Sequence, residues 1–175
     1  ETGRYGLSMQ HLRIAKDVDA QVGFVTRTDI QQTDATARLT FRPGGLGLRT
    51  LSLWSLPAYV ARIDGTLQDW KATTAVDFTF NSGSSVVTYQ TVARTRLDES
   101  FDLADSVLVP AGAYDVTSLG FFGSTSAARP VVFTVNGESQ SVFDGHLGSL
   151  TGGMVARVGT HVGISLDGSR NWVNL

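Results

Sequence analysis

Arginine and aspartate are the polar residues of this sequence most suited to chemistry, because they recur within segments of alternating polarity. The candidates are Arg38, Arg42, Asp77, Arg94, Arg96, Asp115 and Arg157, together with His161. If they point to the inside of a β-structure, the guanidinium groups form a positive lining that favours anionic solutes. The alternative is a structural network in which the arginines pair with Asp77, Asp115 and other acids. Buried arginines are usually paired, so the sequence favours the network.

The histidines and the acidic loop do not form a metal-binding pattern. His11, His146 and His161 are the only histidines, and no two have a spacing typical of metal ligands. Segment 97–114 contains several carboxylates, and hard cations prefer oxygen ligands. Its spacing lacks the glycine and the terminal glutamate of an EF-hand loop, which favours a solvated acidic loop. We therefore expect no metal site.

Catalytic and cofactor motifs are also absent from the sequence. There is no cysteine, and therefore no thiolate nucleophile or disulfide. No Gly-x-Ser-x-Gly elbow occurs. The glycine-rich stretches lack the strand–loop–helix context of phosphate binding, so they are interpreted as turns. We expect no enzyme activity and no cofactor.

The elements that position these residues are β-strands. In "ATARLTFRP" (35–43), Ala35, Ala37, Leu39 and Phe41 share one face, while Thr36, Arg38, Thr40 and Arg42 share the other. The same alternation predicts strands at 5–15, 34–42, 50–62, 66–80, 85–97, 113–122, 130–136, 139–150 and 154–166, with a loop or short helical turn at 16–32. Asp-Gly and Asn-Gly pairs in "IDGT", "VNGE", "FDGH" and "LDGS" predict tight turns. Hairpin-linked strands indicate an all-β, antiparallel meander.

Composition narrows the class of protein. The net charge is −2, which excludes a broad basic surface for nucleic acid. Charged residues make up 17%, below the roughly 25% of ordinary soluble domains, and Lys16 and Lys71 are the only lysines. No apolar run reaches the length of a transmembrane helix, about 18 residues.

The alternation leaves two architectures open. In a soluble β-sandwich the apolar face points inward, whereas in a transmembrane β-barrel it meets lipid. Three features favour the barrel. The strands at 50–62 and 66–80 are long, the polar faces are built from Gly, Ser, Thr, Asp and Arg, and aromatic residues lie near strand ends or at mid-height shoulders. The aromatic residues are Trp54, Tyr59, Trp70, Tyr89, Tyr114 and Trp172.

Three segments resemble a known family. "VGFVTRTDI" (22–30), followed by "ATARLTFRP", resembles the central region of a bacterial outer-membrane family of unassigned function. "ESFDLADSVLVPAGAYDV" (99–116) is similar to a recurrent acidic-aromatic segment of that family. "VFDGHLGSLTGGMVARVGTHVGISLDGSRNWVNL" (142–175) is similar to the hairpin that follows it. The resemblance covers the chain from about residue 4 to the end.

The resemblance implies a location and a role. Members of the family join an N-terminal module similar to family-nine carbohydrate-binding domains to a C-terminal transmembrane β-barrel. Residues 1–175 would then form a single β-barrel-type domain, an incomplete part of a longer chain, in the outer membrane of a Gram-negative bacterium. It would contact the lipid bilayer as a porin-like scaffold, with glycans bound by the module upstream. The alternative is a soluble all-β module, periplasmic or extracellular, that binds carbohydrate or another ligand.

Overall fold

A computed structural model describes residues 4–17, 28–104, 107–142, 145–159 and 162–174 of the chain. Within these ranges, the side chains at 101–104, 107, 142 and 158 are not described. The secondary structure of the described residues is β-strand with turns and short connections, which confirms the prediction of an all-β fold.

Nine of the eleven strands form one antiparallel sheet in the order β1-β2-β3-β4-β5-β8-β9-β10-β11. The bounds of these strands are β1 Tyr5–Ile14, β2 Ile30–Phe41, β3 Leu48–Arg62, β4 Leu67–Phe80, β5 Ser85–Leu97, β8 Gly112–Ser124, β9 Val131–Val142, β10 Gly145–Val158 and β11 Val162–Asn174. Between β5 and β8, β6 (Phe101–Ala104) and β7 (Val107–Val109) pair as a separate small hairpin. If this hairpin is set aside, strands that are consecutive in the sequence are neighbours in the large sheet. The predicted antiparallel meander is therefore confirmed.

The predicted Asp-Gly turn between β3 and β4 is confirmed. Gly65 has a φ of 92°, a left-handed conformation that glycine adopts without a steric penalty. The Thr66 amide donates a hydrogen bond to the Asp64 carboxylate at 2.8 Å, which lowers the pKa of Asp64. The turn therefore has both the glycine and the acceptor that the sequence indicates.

Two other predicted turns are wrong. Asn136–Gly137 lies inside β9 and Asp167–Gly168 lies inside β11, so the C-terminal strands are displaced from 130–136, 139–150 and 154–166. Gly137 is needed for packing, because a Cβ there would lie 2.5 Å from the Phe121 ring on the neighbouring strand. Gly153 likewise leaves room for the carboxylate of Asp167. Glycine in these strands permits close contact between side chains and backbone, as is common in strand interiors.

The two ends of the sheet have connections of different length. At one end the connections are 42–47, 81–84, 125–130 and 159–161, and we call it the short-turn end. At the other end, the long-loop end, they are 15–29, 63–66, 98–111 and 143–144. The longest connections of the sheet, 15–29 and 98–111, are therefore on the same side.

The sheet is a single layer. Among the described residues, strands contact only their hydrogen-bonded neighbours, and no strand packs across either face. The buried apolar residues are Ile30, Ala61 and Val109, and no large side chain is fully buried in the described parts of the chain. β1 pairs with β2 and β11 pairs with β10, but the sheet does not close on itself. Most apolar side chains are consequently partly or fully exposed.

Candidate functional site: the two faces of the sheet

One face of the sheet, which we call the apolar face, carries rows of large hydrophobic residues. Directly paired residues lie on the same face, and the pairing joins Phe41, Leu51, Phe78 and Val86 across four strands. The next row on this face consists of Tyr5, Leu39, Leu53 and Val76. Ala35 and Ala37 share this face with Leu39, as the alternation predicts.

Aromatic and charged residues form the margin of the apolar face toward the long-loop end. Tyr59 pairs with Trp70, and Trp70 pairs in turn with Arg94. Phe78 and Trp70 are eight residues apart on β4, or about 27 Å at ~3.4 Å per residue. This length is close to the apolar band of outer-membrane barrels, about 25 Å.

A polar row interrupts the apolar face between these limits. It consists of Ser55, Thr74 and Gln90, with Ser139 farther along the same row beyond Leu119. The hydrophobic residues of β3–β5 therefore form two bands, one on each side of a line of small hydroxyl groups and one amide.

The opposite face, the polar face, contains one row that crosses all nine strands of the sheet. This cross-sheet row consists of Gly6, Arg38, Trp54, Ala75, Tyr89, Gly120, Glu138, Ser149 and Asn171. The sequence predicts Arg38 as a candidate for an inward-facing lining, but it does not place Glu138, Trp54 or Tyr89 in such a lining. The register of the strands brings them together, and no local motif marks them.

Small residues in the cross-sheet row allow the large ones to lie along the sheet. The Arg38 guanidinium carbon is 5.2 Å from the centroid of the Trp54 ring, a cation–π contact. The Tyr89 ring covers Gly120, because a Cβ on Gly120 would lie 2.2 Å from Cζ of Tyr89. Tyr89 thus extends across this glycine, toward the position of Glu138 on the next strand of the row. The row thus has a cation and an aromatic ring in one half, and a phenol and an anion in the other.

An open groove continues the row over β9–β11. It has a volume of about 290 Å³. Its lining combines the polar Glu138, Gln140, Ser149 and Asn171 with the apolar Leu147, Trp172 and Val173. The carboxylate accepts hydrogen bonds, and the amide and hydroxyl groups both donate and accept them, so the groove offers polar contacts beside an apolar surface.

Further hydrogen bonds stabilise the polar face beside this row. Thr40 and Ser52 hydroxyl groups lie 3.1 Å apart, and those of Thr73 and Thr91 lie 2.8 Å apart. These pairs join β2 to β3 and β4 to β5. They are cross-strand contacts of the kind that stabilise a sheet.

Four of the predicted lumen residues lie on the polar face or at its short-turn end. Arg38 and Asp77 lie on the polar face, where Asp77 is paired with Ser52. Arg42 follows the last residue of β2, and the Arg157 guanidinium donates a hydrogen bond of 2.7 Å to the Ala127 carbonyl.

The other predicted lumen residues do not join them. Arg94 and Asp115 lie on the apolar face at its long-loop margin, where two hydrogen bonds of 2.6 Å join their side chains. Arg96 is also near this end, with Nε 3.5 Å from the Asp98 carboxylate, which accepts a hydrogen bond of 2.5 Å from Arg62. His161 lies outside the described residues. The structure thus separates Arg94, Arg96 and Asp115 from Arg38 and Asp77.

The described histidines are held by hydroxyl groups. His11 Nδ1 lies 2.9 Å from Thr33 Oγ1, and His146 Nε2 lies 2.7 Å from Ser139 Oγ. In the described ranges, no three His, Cys, Asp or Glu side chains are grouped so that they could hold a metal ion.

None of the described segments is a helix long and apolar enough to cross a membrane. Comparison of the chain with protein-family models, with curated proteins and with solved structures finds no match.

Proposed function

We propose that this chain is a membrane-spanning segment of a β-barrel in the outer membrane of a Gram-negative bacterium. The apolar face contacts lipid, and the polar face lines the lumen. The segment acts as a porin-like scaffold for an attached binding module related to glycans. The last part of the proposal comes from the family resemblance, while the sidedness is supported by the geometry.

The observation that carries the proposal is an apolar face that extends over many strands and that no described element covers. Leu7 is 82% exposed and Met9 72% exposed, and Leu119, Phe133 and Leu166 on the same face are each more than half exposed. A monomer in water rarely exposes an apolar patch larger than roughly 300–600 Å². Lipid solvates such a face without a second protein layer.

The connections support an orientation. Bacterial outer-membrane barrels have short turns on the periplasmic side and longer loops outside. The short-turn end therefore faces the periplasm, and the long-loop end faces the exterior. The Tyr59–Trp70 pair lies at the outer interface in this orientation, where aromatic rings are favoured.

The lumen in this arrangement contains the cross-sheet row. Arg38, Trp54, Tyr89 and Glu138 provide both charges and two aromatic surfaces at one level of the wall. Such a lining suits polar solutes. The mechanism is physical selection by charge and shape, with no chemical step.

Detergent dependence tests the proposal. The purified chain is examined by analytical ultracentrifugation in buffer and in neutral micelles, and by flotation with phosphatidylcholine vesicles after dilution from urea. We expect a monodisperse species in micelles, flotation with vesicles, and association in buffer alone. A chain that is monodisperse in plain buffer and stays at the bottom of the gradient contradicts the proposal, and it supports the soluble β-sandwich instead.

A further inference from the structure

The charged residues at the short-turn end are all arginines. The set comprises the described residues of the four connections at this end and the two nearest residues of each adjoining strand. It also includes Arg4, which precedes β1 and accepts a hydrogen bond from the Thr40 amide through its carbonyl. The charged residues in this set are Arg4, Arg42, Arg49, Arg129 and Arg157, all of them exposed, and we call them the arginine rim. No described carboxylate lies in the same set. Among the described residues, the rim therefore has a net positive charge.

The long-loop end differs in this respect. Its described carboxylates include Asp17, Asp29, Asp64, Asp98 and Glu99. Two arginines at this end have an acidic partner, since Arg62 and Arg96 both approach Asp98. The positive charge of the arginine rim is therefore not a general property of the turns.

Backbone and ring contacts hold three of the rim arginines at this end. The Arg4 guanidinium lies 5.7 Å from the centroid of Phe41, which belongs to the apolar face. Arg49 donates to the Asn81 carbonyl at 3.3 Å, and Arg157 donates to the Ala127 carbonyl at 2.7 Å. Each guanidinium has five N–H donors, so these contacts leave donors for a further acceptor.

We propose that the arginine rim binds the phosphate groups of anionic phospholipids in the adjacent leaflet. This inference rests on the proposed function, since it requires the apolar face to lie in a bilayer. Arg4 over Phe41 places a cation just beyond the apolar face, at the level where the headgroups begin. Guanidinium binds phosphate through paired hydrogen bonds, and basic residues near a membrane surface are attracted to anionic lipids.

The test measures lipid retained by the chain in neutral micelles. The full 175-residue chain in dodecyl maltoside is titrated with phosphatidylglycerol, and the bound lipid is counted by native mass spectrometry. The rim variant is Arg42→Gln/Arg129→Gln, and the matched control is Arg13→Gln/Lys16→Gln at the long-loop end. Both variants remove two positive charges from exposed positions. Phosphatidylcholine and inorganic phosphate serve as comparison ligands.

We expect the rim variant to bind phosphatidylglycerol roughly 25-fold more weakly, about fivefold for each arginine, while the control stays within about twofold of the original chain. Phosphatidylcholine should bind more weakly than phosphatidylglycerol, and inorganic phosphate should not displace the lipid at equal concentration. Equal affinities of the two variants overturn the inference, and so does displacement by inorganic phosphate. If the chain enters micelles but shows either result, the proposed function stands and the lipid site fails. If the chain needs no detergent, both fail.

Discussion

The two faces of the sheet differ in the contacts that their side chains make. On the polar face, side chains contact one another across strands, as in Arg38 over Trp54 and Tyr89 across Gly120. On the apolar face, large residues such as Leu7 and Met9 are exposed and gain little from their neighbours. The polar face thus has cation–aromatic and aromatic–glycine contacts along its cross-sheet row, whereas many large side chains of the apolar face remain open to the solvent around them. Substitutions on the two faces should therefore have different consequences.

A charge on the apolar face should have the largest effect. Leu119 lies in a central row of this face and is 58% exposed. If lipid covers it, Leu119→Arg should lower the free energy of unfolding in vesicles by about 2–4 kcal/mol. The measurement is equilibrium unfolding by guanidinium in phosphatidylcholine vesicles.

The control for this substitution is Thr151→Arg. Thr151 is exposed on the polar face, paired with Asn136 and Ser169. Its substitution should change the free energy of unfolding by less than about 1 kcal/mol, because the lumen remains hydrated. Equal losses for the two variants would show that the faces do not differ in their surroundings.

A side chain at Gly120 should have the next largest effect, because it displaces Tyr89. Gly120→Val places a branched side chain where the Tyr89 ring lies. Crowding of this kind typically costs about 1–3 kcal/mol. Gly152→Val is the control, since a Cβ at Gly152 would meet no atom within 4 Å. Unfolding of both variants in vesicles checks the prediction, and a greater loss for the Gly152 variant would count against the packing described for Tyr89.

Separating Arg38 from Trp54 should have a smaller effect. A double-mutant cycle with Arg38→Gln and Trp54→Leu isolates the contact of 5.2 Å between guanidinium and ring. The coupling free energy should be about 0.5–1 kcal/mol, the usual size at partly exposed sites. Additive losses in the two single variants would mean that the contact contributes nothing to stability.

The smallest effect concerns the β3–β4 turn, outside both faces. The hydrogen bond from the Thr66 amide lowers the pKa of Asp64 below its ordinary value of 3.8. A depressed pKa in the folded state means that the bond stabilises the turn above pH 3.8 and is lost as the pH falls through the lower, folded value. The Thr66 amide chemical shift should therefore titrate with a midpoint below 3.8. A midpoint at or above this value would contradict the described turn.

Much of the fold follows from the sequence, because alternating polar and apolar residues must lie on opposite faces of a strand. The face that Leu39 and Phe41 share, the strand at 85–97 and the turn at Gly65 are all as predicted. The predicted turn at Asn136–Gly137 failed because the same glycine also accommodates the Phe121 ring. Glycine serves both in tight turns and where a neighbouring side chain packs against the backbone. Only the structure of the neighbouring strand distinguishes the two roles.

The composition of the cross-sheet row could not be predicted, because it depends on register. Tyr89, Gly120 and Glu138 come from three strands and share a row only after each pair of strands is aligned. Arg94 and Asp115 show the opposite error, in which residues predicted to share a face with Arg38 do not. Both were grouped with Arg38, yet counting along β5 and β8 from the paired rows places them on the apolar face. Residue type alone does not reveal the face of a charged residue near a strand end.

The most direct test of the central claim is the accessibility of single cysteines along β4. The chain has no natural cysteine, so Ala72→Cys and Val76→Cys on the apolar face can be compared with Thr73→Cys and Ala75→Cys on the polar face. The labelling reagent is a membrane-impermeant maleimide, applied to the chain folded in phosphatidylcholine vesicles. The account predicts rapid labelling at 73 and 75 and protection at 72 and 76. Protection at 73 and 75 with labelling at 72 and 76, or equal rates at all four positions, would contradict it.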